Sequence, residues 1–233
     1  NTLFREENRG CKSAVSGGIT WFFEHEEQGI ILEDDCLPSQ SFFWFCEELL
    51  ERYKTDDRIF IISGYNKQQQ WRASDCDYFF SNFGGIWGWA SWRRAWDYYD
   101  ADMTDLEKYA DAGYFEDLLG KKLGVLRKKQ LLSANNKIQE GKMSTWGYPW
   151  AFSRHKYRGI ACVSSSSLIK NIGFGAHATH TRASHMDGVN NLEINLPTRP
   201  NKNLHPDMQY DLRFLSHASM HQRILRRLHR LFS

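Results

Sequence analysis

The short apolar run Gly29-Ile30-Ile31-Leu32 stops on three consecutive carboxylates, Glu33-Asp34-Asp35. A run of this length between polar flanks reads as a strand buried on both faces, as in a parallel sheet. Adjacent carboxylates at the end of such a strand repel one another and lose hydration, so they need a cleft, a cation or a helix start beside them. Two readings follow. In the first, Asp35 or Ser39 caps the helix implied by Phe42, Phe43, Phe45, Cys46, Leu49 and Leu50 at helical spacing. In the second, the carboxylates bind a metal ion or work beside a phosphate, in the crevice beyond the carboxyl ends of the strands where open α/β sheets hold their ligands.

The neighbouring segments set the fold class. Helical spacing over 11–23, the strand at 29–33, the helix at about 39–54 and a second apolar strand at 58–63 alternate as an α/β sheet does. Gly64-Tyr65-Asn66 ends the second strand, and a polar, Gln-rich loop over 67–77 leads to a short aromatic strand at 78–81. Four tryptophans then fall within ten residues. Trp89, Trp92 and Trp96 have the i, i+3, i+7 spacing of a buried helix face, whereas Trp87 and Gly88 read as the wall of a ligand site. Residues 103–142 are charged and helical in pattern, 144–150 turn into an aromatic helix, and 160–163 and 168–169 read as late strands.

With 233 residues, 41% of them hydrophobic, the chain can bury one sizeable core. A net charge of +2 supplies no field for nucleic acid, which is excluded as a partner. Five cysteines without a CxxC pair argue against a disulfide framework or structural zinc site and favour a reducing, cytoplasmic setting. No apolar stretch reaches the roughly 20 residues that span a bilayer. Nine histidines are present, and His177 and His180 stand in a glycine-bearing segment. One carboxylate and one neutral imidazole, with phosphate oxygens and water, would complete an octahedral shell for Mn2+ or Mg2+.

The ordered succession Asn8-Arg9-Gly10-Cys11-Lys12, Ile30-Ile31-Leu32-Glu33-Asp34-Asp35-Cys36-Leu37-Pro38, Phe42-Phe43, Ile62-Ser63-Gly64-Tyr65-Asn66, Trp87-Gly88-Trp89-Ala90-Ser91-Trp92-Arg93-Arg94 and Asn171-Ile172-Gly173-Phe174-Gly175 through His180 resembles bacterial sugar-nucleotide-dependent glycosyltransferases related to N-acetylglucosaminyltransferase I. The resemblance covers about residues 5–181. It implies a GT-A-like, Rossmann-like mixed sheet flanked by helices, a nucleotide-diphosphosugar donor such as a UDP-sugar, and Mn2+ or Mg2+. The acceptor would be a glycan or a lipid-linked or protein-linked glycoconjugate, and the transfer inverting. Glu33-Asp34-Asp35 resembles the family's DxD-type element, with Asp35 on the metal and its two neighbours on the donor. His180 resembles the family's C-terminal histidine near the diphosphate, as a second metal ligand. Lys12 would approach the donor phosphates, and Gly64, Asn66, Trp87, Gly88 and Trp89 would wall donor or acceptor.

Two departures qualify the match. The family carries an acid after the tryptophan near 146, resembling the base that deprotonates the acceptor; this chain has Gly147 there, leaving the catalytic base unassigned. The alternative is therefore a catalytically inactive GT-A-like module that binds a nucleotide-sugar or glycan. Family members also begin with further nucleotide-binding strands, and a chain starting at Asn1 is expected to be a fragment lacking them. The expected organisation is a catalytic part over 1–181, an extended linker or peripheral segment over 182–220, and a basic amphipathic helix over 221–233. That helix either docks on its own domain or attaches the enzyme peripherally to an anionic membrane.

Overall fold

The structure is a computed structural model that describes residues 2–173 and 190–216. His180 and the 221–233 segment lie outside them. The described chain runs α1 (Gly10–His25), β1 (Gln28–Ile31), β2 (Cys36–Pro38), α2 (Gln40–Arg52), β3 (Ile59–Ser63), β4 (Tyr78–Ser81), β5 (Trp89–Trp92), α3 (Arg93–Trp96), α4 (Leu106–Asp111), α5 (Tyr114–Leu119), α6 (Lys121–Gln139), α7 (Gly147–Lys156), β6 (Ile160–Ser164) and β7 (Ile169–Asn171). Five strands form a mixed sheet in the order β1-β5-β3-β6-β4, and β2 pairs with β7 in a separate two-stranded ribbon. Among the described residues only β3 and β6 are parallel neighbours. The fold is thus α/β, with a mixed sheet flanked by helices.

Alternation along the strands divides the core. Tyr78 and Phe80 of β4, Ala90 and Trp92 of β5 and Cys162 of β6 face α2, where they meet Phe42, Phe45, Cys46, Leu49 and Leu50. Phe79, Trp89, Ala161 and Val163 point the other way, onto Ile19 and Phe23 of α1 and onto Trp146 and Trp150. This is the period-2 pattern of a sheet covered on both faces. Helices α4 to α6 bring smaller apolar clusters of their own, around Phe115 and Leu131 and around Leu119 and Leu123.

Three sequence expectations need correction. The run ending in Glu33 is not a doubly buried parallel strand: β1 stops at Ile31, lies at one edge of the sheet antiparallel to β5, and is only half-buried along its length. Trp89, Trp92 and Trp96 are core residues, but not one helix face. Trp89 and Trp92 lie on β5, where a spacing of three sends them to opposite faces, and Trp96 on the short α3 returns to the Trp89 side. Neither Asp35 nor Ser39 caps α2. Ser39 occupies the N-cap position without a capping hydrogen bond. The free N–H groups of Gln40 and Ser41 instead donate to the carboxylate of Glu193, each at 2.9 Å.

Glu193 belongs to the stretch 190–205, which lies extended along α2. Ile194 N–H donates to Ser41 Oγ, and the backbone and hydroxyl of Thr198 donate to Glu48. A helical stretch at 208–216 follows, with Tyr210 and Asp211 fully buried. The Asp211 carboxylate accepts from Ser81 Oγ at 2.5 Å and Asn82 Nδ2 at 2.8 Å. Burial pushes Asp211 up to about 6, against which the Ser81 and Asn82 bonds pull down. Nearby, burial and repulsion from Arg127 lower buried Arg154 to about 9, with Asp211 opposing. Among the described residues no helix is long and apolar enough to cross a membrane.

Two outcomes follow. Glu193→Ala should lose about 1 kcal/mol of stability in urea unfolding, the worth of a helix cap. Hydrogen bonds from Ser41 and Gln40 hold Glu193 below its ordinary 4.5, so this difference should be full above 4.5 and vanish as pH falls through the depressed value. Asp211 has the opposite sign, since its folded value lies above 3.8. Its contribution is greatest below 3.8 and is lost as pH rises to about 6. Relative to Asp211→Asn, the wild type should lose about 3 kcal/mol over that window; parallel pH profiles of the two proteins would defeat the assignment.

Candidate functional site

Because β5 is antiparallel to both β1 and β3, strands β1, β3 and β6 run the same way and end at one edge of the sheet. The acidic triplet lies at this edge, on a turn between β1 and β2 closed by Cys36 N–H donating to Glu33 O at 3.1 Å. Glu33 and Asp35 are half-buried and Asp34 is exposed. Ile172 N–H donates to Asp35 O at 2.8 Å, tying the turn to the exit of β7. Gly173 packs against the Asp35 side chain so closely that a Cβ there would lie 2.9 Å from Asp35 Cβ and 3.0 Å from its Cγ. Asp35 therefore meets Ile172 and Gly173, although 138 positions separate Asp35 from Gly173 in the chain.

Two helix starts close the other sides. Lys12 N–H in the first turn of α1 donates to Ser144 Oγ at 3.1 Å, which joins α1 to the segment entering α7. Trp146 precedes α7, and its indole lies close enough to the Glu33 carboxylate to favour the ionised form against the effect of burial. Its ring stacks on Trp89 at 5.8 Å, within a cluster completed by Trp96 and Trp150. Buried aromatic packing thus holds the Trp146 indole beside Glu33.

At the turn burial is the main influence on Glu33, Cys36 and Cys11, and neighbouring negative charge adds to it. Glu33 is raised by burial, then by the charge of Asp35, with Trp146 pulling against both and Asp34 adding to the rise. Burial and the Asp35 charge push the Cys36 thiol up to about 12. Exposed Cys11 is raised by desolvation and by Glu33. Among the described residues no Lys or Arg pairs with Glu33, Asp34 or Asp35; the Lys12 ammonium lies 3.5 Å from Asp102 instead. Nor does any group of three or more His, Cys, Asp or Glu among them have an arrangement that could hold a metal ion. His180, expected to join Asp35, lies outside the described residues.

The expected wall residues separate into two sets. Gly88, at φ +64°, lies against Leu32 at the root of the acidic turn, and a Cβ there would come within 2.6 Å of Ile169 Cγ1. Trp87 is half-buried with its ring 4.7 Å from that of Tyr65, edge to face. Trp89 and Asn66 are fully buried and Gly64 is buried beneath Phe42 and Ile169. The Asn66 amide donates to the carbonyls of Ser164 and Ser165 at 2.9 and 3.1 Å, so it braces the ends of β3 and β6 rather than facing a ligand. Trp89 likewise is a core residue, not a wall. Trp146 is the site residue that sequence reasoning missed; its place just before Gly147 was the available signal.

Trp146→Phe keeps an aromatic ring and deletes the N–H. The Glu33 titration midpoint, followed by carboxyl 13C NMR, should move further upward; an unmoved midpoint would show that the indole does not stabilise the carboxylate. A search with protein-family models finds none that matches the chain, and a search of curated proteins finds no match either.

Proposed function

We propose that this chain is a metal-dependent glycosyltransferase of GT-A-like fold, moving a sugar from a nucleotide-diphosphosugar, such as a UDP-sugar, to a glycan or glycoconjugate acceptor. The carrying observation is the Glu33-Asp34-Asp35 turn at the carboxyl edge of β1, where half-buried carboxylates have no cationic partner among the described residues. Such a set is costly by itself and is relieved by a hard divalent cation. The donor chemistry fits Mn2+ or Mg2+, with Asp35 as ligand and the shell completed from beyond the described residues, His180 being the expected group, and by the donor's phosphates. A bound cation would offset the negative charge that builds on the departing diphosphate.

The chain's own residues have distinct parts in this reading. Asp35 is positioned by Gly173 and by the Ile172 backbone bond. Glu33, beside Trp146, orients donor hydroxyls, and Asp34 stands exposed next to it. The half-buried Trp87 and the close-packed Gly88 bound the sugar side. Lys12 reaches the donor phosphates only by leaving Asp102. A cytoplasmic enzyme, attached to a membrane surface through 221–233, would suit lipid-linked acceptors.

A second reading, a binding module without turnover, has one observation in its favour. Gly147 opens α7, and a Cβ there would stand 2.8 Å from Ile86 Cδ1, so the expected base position has neither a carboxylate nor room for one unless Ile86 shifts. General-base catalysis is worth about 10² to 10⁴ in rate, a loss that spares donor binding.

Calorimetry of UDP binding with and without Mn2+ separates these outcomes. Wild type should bind UDP in a Mn2+-dependent way, and Asp35→Ala should weaken binding at least about tenfold. Release of UDP from a UDP-sugar then favours the transferase, and binding without turnover favours the module. Mn2+-independent binding, or an Asp35→Ala variant equal to wild type, would sink both.

A further inference from the structure

A second cleft opens at the same edge of the sheet, beyond the ends of β6 and before β4. It measures about 570 Å³ and is lined by the Gln-rich loop, the serines after β6 and the extended stretch 193–199. Counted across the sheet order, β6 is three strand spacings from β1, about 14 Å. The cleft is therefore separate from the acidic turn, while opening on the same side.

Its wall charges are already engaged. Asp77 accepts from the Arg199 backbone N–H and guanidinium, both at 2.7 Å, and Glu193 is bound to the start of α2. The groups left for a ligand are neutral. The Gln70 and Asn195 carboxamides and the Ser166 hydroxyl line the cleft without a hydrogen bond from their side chains. Ser166 is only 7% exposed and lines the cleft, and its hydroxyl has no hydrogen bond among the described residues. Two carboxamides and a hydroxyl offer donors and acceptors together, and Ile194 and Pro197 add apolar surface. A phosphate would find no free cation here, and a cation no free carboxylate.

We infer that this cleft binds a neutral, polyhydroxylated ligand, namely a saccharide. Resting on the transferase reading above, that saccharide is the acceptor, held by sugar units distant from the one that receives the transferred residue. Gln70, Asn195 and Ser166 bond its ring hydroxyls. The volume lies within the range of small-molecule sites, about 300 to 1,000 Å³.

The test uses lactose, cellobiose and N,N′-diacetylchitobiose as probes, added separately to 15N-labelled protein, with inorganic phosphate and UDP plus Mn2+ as controls. At least one disaccharide should shift the side-chain amide signals of Gln70 and Asn195, and phosphate should not. Gln70→Ala and Ser166→Ala should each weaken that binding about fivefold, the loss of one hydrogen bond, with Mn2+-dependent UDP binding unchanged. The proposal is overturned if no disaccharide moves these signals, if phosphate moves them equally, or if both variants bind as wild type does. Saccharide binding without any UDP binding would sustain the cleft and overturn the transferase reading; UDP binding without saccharide binding would overturn the cleft alone.

Discussion

The packing of Trp89, Trp96, Trp146 and Trp150 is the contact on which the rest of this structure depends. Trp89 comes from the sheet, Trp96 from α3 and Trp150 from α7, with rings 5.0 to 6.3 Å apart wherever Trp96 and Trp89 meet the other two. Phe23 of α1 joins at 6.3 Å from Trp96. Indoles bury the largest apolar area of any side chain, and their offset and tilted contacts add direction to it. One cluster therefore fixes α1, β5 and α7 against each other. The starts of α1 and α7 then flank the acidic turn, and Trp146 reaches Glu33 from the edge of the cluster. Site and core are in this sense one object.

A second dependence runs through the stretch after residue 190. It supplies the cap of α2 through Glu193, neutralises Asp77 through Arg199, and seats Asp211 under β4. These are charged groups working on partners more than a hundred residues away. The same stretch forms one wall of the second cleft, so the groups that stabilise it also remove free charge from that cleft. What remains for a ligand is hydroxyl and amide chemistry.

Much of the architecture was legible because local pattern and final packing agree. The strands at β3, β4 and β6, helix α2 and the aromatic helix α7 follow from apolar runs and helical spacing with little shift at their ends. The failures share a cause. Trp89, Trp92 and Trp96 fit a helical period by accident of spacing, and only pairing of Ala90 with Ile30 and Ile62 makes their segment a strand. The buried parallel strand expected at 29–33 is an edge strand for the same reason: the order of strands is set by contacts that no single run contains. Glu193 could not be foreseen as a cap because nothing in its own neighbourhood marks it.

The sequence by itself determined the alternation of strands and helices, the aromatic wealth of the core and the presence of three carboxylates at a strand end, because each is a property of consecutive residues. Tertiary structure alone decided which groups those carboxylates meet. Trp146, Gly173 and Cys11 lie far from Glu33-Asp34-Asp35 in the chain and converge on it only once the sheet is ordered and the tryptophans are packed. It also decided that Asn66 and Trp89 face inward and that Gln70, Ser166 and Asn195 share a cleft. Burial and long-range hydrogen bonding are properties of the folded surface, and no spacing along the chain encodes them.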